Sequence, residues 1–470
     1  MNVITVICAL GLLMFVAYRG FSVILFAPLC AMLAVLLSSG GAISGVGGPS
    51  SIPPMFSEIF MEKMVGFLKL YFPVFMLGAV FGKVIELAGY SKSIVSALIG
   101  SIGDKRAMLA IVLVCGVLTY GGVSLFVVVF AVYPFAAEMF RQSAIPKRLI
   151  PGTIALGSFT FTMDSLPGSP QIQNIIPTTF FKTDTWAAPW IGVIGSIFIL
   201  VVGLSYLEWR RRQAVLAGEG YGIGHINEPE PFTESSLPNP LLALVPLLLV
   251  VVLNRVFTAM IPIYYGEKFM IEFPTHPIAV DVEKLKAIWA VEGALLVGIL
   301  AVVVCAFKRV VAKFAEGSKA AISGSLLASL NTASEYGFGG VIASLPGFLV
   351  VSNALRHIPN TLVNEATTVT ALAAITGSAS GGMSIALAAM SETFIQNANV
   401  SHIPLQVMHR VASMASGGLD TLPHNGAVIT LLAVTGLTHR VAYRDIFALT
   451  LIKTVAVFVV IAVYYLTGIY

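Results

Sequence analysis

Residues 163–174 read Met-Asp-Ser-Leu-Pro-Gly-Ser-Pro-Gln-Ile-Gln-Asn, and residues 419–425 read Leu-Asp-Thr-Leu-Pro-His-Asn. Both lie inside long apolar runs. Two prolines and a glycine forbid a continuous helix in the first, because proline has no N–H to donate and clashes with the preceding turn. Working outward, the same signals precede each stretch in the same order. Gly121-Gly122-Val123-Ser124 and Ile145-Pro146 lead to Asp164-Ser165-Leu166-Pro167. Gly381-Gly382-Met383-Ser384 and Ile403-Pro404 lead to Asp420-Thr421-Leu422-Pro423. From second glycine to proline the spacing is 24 and then 22 residues, and from proline to aspartate 18 and then 16. Three short signals at matched spacing mark an internal repeat.

The composition says where such a chain resides. Of 470 residues, 57% are hydrophobic and 11% charged, with a mean hydropathy of +0.91. Soluble domains carry about 25% charged residues, so this chain reads as a polytopic membrane protein. The net charge of +4 is spread along the sequence and proposes no nucleic-acid partner. Cys8, Cys30, Cys115 and Cys305 sit in apolar runs and read as small core hydrophobes, with no disulfide or metal framework. The apolar start, with no basic residue before Arg19, is expected to be a retained span.

A membrane-crossing helix needs about 20 apolar residues. By that measure the first half offers spans near 2–18, 20–39, 64–89, 149–181 (broken) and 187–207. Between the third and fourth, 107–137 has two short limbs flanking Thr119-Tyr120-Gly121-Gly122, the pattern of a hairpin that enters the membrane and turns back. The second half repeats this with spans near 240–262, 287–306, 320–353, 404–437 (broken) and 444–468, and a hairpin over 366–396 broken at Ser378-Ala379-Ser380-Gly381-Gly382. The expected fold is an all-α polytopic membrane protein of two inverted repeats. Each repeat has five spans, one of them broken, plus a re-entrant helical hairpin. The halves are 1–207 and 240–470, joined by a polar linker over 208–239. An odd number of spans per half turns the second copy upside down, the sign of a secondary transporter, in which two opposed copies open to opposite sides with similar energy.

The breaks carry the chemistry. An interrupted helix leaves free N–H groups at one end and free C=O groups at the other, and the N-terminal ends favour anions. Candidate substrate contacts are Thr119, Tyr120, Gly121, Gly122 and Ser124 at the first tip, and Ser165, Gly168, Ser169, Gln171 and Asn174 at the first break. In the second half they are Ser378, Ser380, Gly381, Gly382 and Ser384 at the tip, and Thr421, His424 and Asn425 at the break. No Lys or Arg is expected near any of the four breaks, so an anion would be held mainly by helix ends and neutral donors. Asp164 and Asp420 are candidates for reversible protonation, since intramembrane carboxylates are expensive and functional by default; the alternative is that each caps the helix after its break. His424 is a further candidate proton carrier. Glu335, Glu392 and Glu138 are expected to be solvated or packed, Lys453 to snorkel, and His409 to lie at a surface.

The hairpins and broken helices resemble the gluconate permease (GntP-type) family of proton symporters. The most specific stretches are 376–385 and 417–432, the latter similar to the D-β-hydroxybutyrate permease branch. The resemblance implies import of a small hydroxycarboxylate, 3-hydroxybutyrate or a gluconate-like acid, with a proton, by a homodimer with a moving transport domain and no cofactor. The first tip lacks the acidic residue common in gluconate-transporting members, which turns the expectation towards the smaller acid. Sodium coupling, a cation/proton antiporter and a passive channel stay open. An intramembrane aspartyl protease is a remote alternative, because Gly417-Gly418-Leu419-Asp420 places its glycine one residue off the Gly-x-Gly-Asp signature.

Charge distribution predicts orientation. Arg19, Lys92, Lys105, Arg106, Arg141, Lys147, Arg148, Arg210–Arg212, Lys308, Arg309, Lys313, Lys319, Arg440 and Arg444 fall on one side of this topology. Lys63, Lys69 and Lys182 fall on the other. Positive residues favour the cytoplasm, so both termini are expected outside a bacterial inner membrane and the linker inside. In a cysteine-free background, a thiol at position 225 should react with an impermeant reagent only after the cells are permeabilised. Labelling in intact cells would reverse the assignment.

Overall fold

The computed structural model describes residues 2–19, 21–38, 47–102, 106–123, 125–229, 237–272, 277–348, 350, 358–423 and 425–470. Ser124 and His424 lie outside them. The first half begins with α1 (Asn2–Tyr18) and α2 (Val23–Leu37), followed by α3 (Pro49–Leu87) and α4 (Tyr90–Ile102). The hairpin is α5 (Ala107–Tyr120) and α6 (Leu125–Gln142), and the broken span is α7 (Ile150–Ser158), α8 (Phe161–Asp164) and α9 (Ile172–Phe181); α10 (Pro189–Leu216) closes the half. The second half has α11 (Pro240–Tyr265), α12 (Val282–Cys305) and α13 (Phe314–Ser344). Its hairpin is α14 (Thr361–Thr376) and α15 (Ala379–Val400), its broken span α16 (Leu405–Ser416) and α17 (Gly426–Thr435), and its last helix α18 (His439–Thr467). The fold is all-α and polytopic, as the apolar periods require.

Departures from expectation have local causes. The amphipathic α4, buried at Tyr90, Ser91, Ile94 and Val95, falls where no element was expected. A small exposed hairpin, β1 (Lys268–Ile271) with β2 (Ile278–Asp281), pairs Lys268 with Asp281 between α11 and α12. Helix α10 runs nine residues past the expected end at 207, supported by Glu208 pairing one turn on with Arg211 and Arg212. The limb α5 has 14 residues and is about 21 Å long, short of the ~30 Å hydrocarbon core, as a re-entrant limb should be. The limb α15 has 22 residues and is about 33 Å long, so the second return limb is not short.

The two tips also differ. Gly121 and Gly122 form the first turn themselves, with Gly122 at φ 95°, where a side chain is disfavoured. In the second hairpin the turn is Gly377-Ser378, with Gly377 at φ 65°. Ser378 caps α15 by accepting from the Gly381 N–H at 3.1 Å, so Gly381 and Gly382 lie in the first helical turn.

Packing interleaves the halves. The third span of each packs on the second span of the other, α3 on α12 and α13 on α2, and α3 and α13 pack on each other. The return limb of each hairpin meets the post-break helix of the other half, α6 with α17 and α15 with α9. This reciprocal exchange brings both breaks into one region.

Linker residues 217–229 fold back as a strap. The Lys147 ammonium, fully buried, donates to Ile226 O at 2.9 Å and Glu228 at 2.7 Å, and Asn227 Nδ2 donates to Ala433 O at 3.0 Å. Arg148 grips Glu219 through two hydrogen bonds of 2.8 and 2.7 Å. Those bonds hold the Glu219 carboxyl below its ordinary value of 4.5. Burial pushes Glu228 upward, but hydrogen bonds from Lys147 and Arg141 outweigh it, and this group also sits low. A carboxylate depressed in the folded state stabilises the fold above its unfolded value, and the contribution is lost as pH falls through the folded one. Acidification below about pH 4 should therefore open 217–229 to proteolysis, and Glu228→Gln should open it at neutral pH. A strap that stays protected under both conditions contradicts this account.

Candidate functional site

The first break is knitted by its own hydroxyls and amides. With Pro167 and Pro170 unable to donate, helix α8 ends at Asp164 and regular structure resumes only at Ile172. Ser169 donates to Thr162 O at 2.8 Å, and Asn174 Nδ2 reaches both Ser169 O and Thr185 O at 2.9 Å. These bonds satisfy backbone groups that would otherwise be orphaned in an apolar setting. The first tip closes over the break: the Tyr120 hydroxyl donates to Pro167 O at 2.8 Å, and Gln171 Nε2 to Thr119 O at 2.8 Å. Gly122 lies against Pro170.

The second break is tied to its own tip in a similar way. Asn425 caps α17 by accepting from the N–H groups of Ala427 and Val428 at 2.7 and 3.0 Å, while its amide donates to Gly377 O at 2.8 Å. Thr421 pairs its hydroxyl with Thr450, and Tyr443 donates to Thr421 O at 3.1 Å. Thr370 on the hairpin limb donates to Ala415 O at 2.9 Å, where α16 ends.

The breaks meet through four buried charges. The Asp164 carboxylate fills the space that a Cβ on Gly417 would occupy, 1.9 Å from that position, so only glycine admits it. Ser165 donates to Asp164 at 2.7 Å. Lys453 on α18 donates to Asp420 at 2.7 Å and to Phe159 O, at the end of α7, at 3.1 Å. Arg410, fully buried on α16, donates to Ala187 O at 2.8 Å, Asn174 Oδ1 at 2.9 Å, Asp164 O at 3.2 Å and Thr185 O at 3.3 Å. Its guanidinium thus ties Asp164 O at the first break to two carbonyls of the loop between α9 and α10, while Lys453 runs from the end of α7 to Asp420. Two carboxylates and two cations balance.

Several expectations are corrected here. Cations do adjoin the breaks, and they come from helices distant in sequence. Lys453 does not snorkel; it is buried in an ion pair. His409 is buried too, with Nδ1 2.6 Å from the Thr183 hydroxyl and Nε2 3.3 Å from Asn174 Oδ1. Because that amide oxygen can only accept, Nε2 carries the proton and Nδ1 accepts from Thr183. Neither aspartate caps a helix; Asn425 caps after the second break, and the helix after the first has no side-chain cap. Glu335 is sealed beneath the second tip rather than solvated, whereas Glu392 is exposed and Glu138 pairs with Arg141. Glu365 on α14, unremarked in the sequence, is fully buried with neither carboxylate oxygen hydrogen-bonded.

The expected site residues therefore fall into groups. Tyr120 and Gln171 at the first tip and break, and Ser378, Ser380 and Asn425 at the second, are partly accessible polar groups. Ser165, Ser169 and Thr421 are buried in the knitting, and the hydroxyls of Thr119 and Ser384 are buried without a partner. Gly121 packs on Leu247, Gly168 on the Trp186 ring, and Gly382 on the Ala373 backbone, where each admits a close approach.

Comparison with known proteins agrees with this architecture. No family model matches the chain. The uncharacterized transporter YxjC of Bacillus subtilis (strain 168) is 58% identical over 481 residues, with both chains covered in full. The crystal structure of the YdaH transporter of Alcanivorax borkumensis superimposes with a TM-score of 0.59 at 13% identity, covering 95% of this chain and 98% of that one. MtrF of Neisseria gonorrhoeae, described as representing a class of antimetabolite efflux pumps, gives 0.54 at 14% identity, covering 98% and 94%. These two similarities concern the fold alone. The 58% identity places the chain in the YxjC family of transporters.

The charge cluster makes a direct prediction. Lys453→Met strands a buried carboxylate and should destabilise the detergent-solubilised protein by roughly 3–5 kcal/mol. Adding Asp420→Asn should restore most of the loss, read as the thermal unfolding midpoint. A double variant no more stable than the single would show that the pair is not the relevant interaction.

Proposed function

We propose that this member of the YxjC transporter family imports a small hydroxycarboxylate, 3-hydroxybutyrate ahead of gluconate-like acids, together with a proton. The observation that carries the reading is that both cations at the breaks are buried and committed to internal partners, whereas the partly accessible polar side chains of the tips and breaks named above are neutral. Tyr120, Gln171, Ser378, Ser380 and Asn425 suit a carboxylate with few hydroxyls. The N-terminus of α9, free of a side-chain cap, adds a favourable partial positive charge. This agrees with the resemblance to GntP-type symporters and to their D-β-hydroxybutyrate branch.

In the proposed cycle the acid binds between tips and breaks, and the hairpins with the broken helices move against a scaffold of 2–39 and 240–306. The halves 1–207 and 240–470 supply one tip and one break each, and the protein works as a homodimer with its termini outside. Asp420, paired with Lys453, acts as a fixed charge, as does Asp164 within the same balance. An aspartyl-protease dyad needs two carboxylates sharing a proton; here Asp420 is ion-paired with Lys453 and Asp164 accepts from Ser165, which favours transport over proteolysis.

Uptake of labelled 3-hydroxybutyrate and gluconate into proteoliposomes tests the reading. One pH unit supports roughly tenfold accumulation per proton, so an inside-alkaline gradient should concentrate 3-hydroxybutyrate by about that factor, with gluconate weaker and a sodium gradient ineffective. Accumulation driven only by sodium would replace the coupling ion. Exchange against protons would reverse the direction, and no transport of either acid would refute the substrate class.

A further inference from the structure

Helix α13 carries Glu335 into the second hairpin tip. The residue is 3% exposed, and its Oε2 has no hydrogen-bond partner. That oxygen lies 1.6 Å from where a Cβ on Gly381 would be, so the carboxylate sits against the first turn of α15 in a place only glycine leaves open. The Ser378 hydroxyl, which caps α15 by accepting from the Gly381 N–H, also acts on this carboxylate. One turn earlier on α13, the Thr332 hydroxyl lies 3.3 Å from Ser380.

The charges around Glu335 do not balance it. Among the described residues, the titratable groups on the elements packed against α13 are Cys30 on α2, Glu58, Glu62, Lys63, Lys69, Tyr71, Lys83 and Glu86 on α3, Lys308 and Arg309 on the short helix Phe307–Val311 that precedes α13, and Glu392 on α15. Lys63 lies along Gly340, Lys83 pairs with Glu86, and Tyr71 bonds to Thr179 and Ile176. Among the described residues, Glu335 has no ion-pair partner, and the Ser378 hydroxyl acts on its carboxylate. A carboxylate sealed from water without a counter-charge either holds a proton or strongly destabilises the fold. Asp420, by contrast, is paired with Lys453, and Asp164 accepts from Ser165 with Arg410 bonded to its backbone carbonyl.

We propose that Glu335, seated between Ser378 and Gly381, is the group that carries the coupling proton. Its carboxylate takes a proton from water on one side and returns it to water on the other; only the O–H bond forms and breaks. The seat is one residue from Gly377, whose carbonyl accepts from Asn425 at the second break. Protonation at the tip is therefore communicated to the substrate region through Ser378-Gly377-Asn425. The inference deepens the symport reading and rests on it for the identity of the transported acid.

Glu335→Gln, which mimics the protonated side chain, tests it in two ways. In proteoliposomes it should retain 3-hydroxybutyrate exchange at near wild-type rate while pH-driven accumulation falls roughly tenfold per pH unit imposed, to the level without a gradient. Glu335→Asp should recover part of the accumulation. The second arm needs no substrate: infrared difference spectra of the purified protein across a pH titration should lose a protonated-carboxyl band in the variant. Wild-type accumulation, loss of exchange together with accumulation, or an unchanged carboxyl band would each overturn the assignment. If wild type transports neither acid, the infrared arm still decides the proton site, and the substrate reading fails separately.

Discussion

A helix that stops and restarts inside a bilayer must find partners for the N–H and C=O groups that the interruption frees, because lipid offers none. Here that constraint is met twice in one place. Arg410 holds Asp164 O at the first break together with Ala187 O in the loop before α10, and Lys453 spans from the end of α7 to Asp420 beside the second. Asp164 closes the arrangement by resting on Gly417. Each cation would be intolerable alone at this depth, and so would each carboxylate. Together they hold two broken helices in a fixed crossing, and the hydroxyls and amides of Ser169, Asn174 and Asn425 complete the backbone accounting.

That fixed crossing gives the hairpins something to close on. Tyr120 and Gln171 tie the first tip to the first break, and Asn425 ties the second break to Gly377 at the second tip. The tips are built differently. The first is a glycine turn packed on Leu247 of α11, whereas the second is a capped helix start that encloses Glu335. Two halves with one order of elements have thus diverged at the tips, and under the proposed function that difference separates binding an acid from carrying a proton.

How much of this was legible before any coordinates depends on the physical range of each signal. Spans, hairpins and breaks are local: apolar run length, glycine pairs and prolines report them directly, and the helices at 2–18, 150–181 and 405–435 follow. Helix α4 and the strands at 268–281 escaped because short amphipathic and exposed elements leave little hydropathy contrast. The site was legible only in its local half. Asp164, Asp420 and the tip residues announce themselves by position, but Arg410 and Lys453 reach the breaks only through tertiary packing. Glu335 and Glu365 lie outside the repeated motif, so their importance is visible only as burial without a partner. A clue did exist in a lysine in mid-span and an arginine within the apolar 403–415 stretch. Charges placed so deep are more often paired than snorkelling.

Two kinds of buried carboxylate are thus distinct: Asp420, paired with Lys453, and Asp164 beside it belong to the crossing, whereas Glu335 has no ion-pair partner among the described residues and is the group proposed to move charge. The most direct test removes the ion pair while keeping the net charge balanced. In the Asp420→Asn/Lys453→Met double variant, pH-driven accumulation of the transported acid should persist at a large fraction of the wild-type level, because the proton carrier is untouched. Retained exchange with abolished accumulation in that variant would place proton coupling at Asp420 and contradict the division of roles.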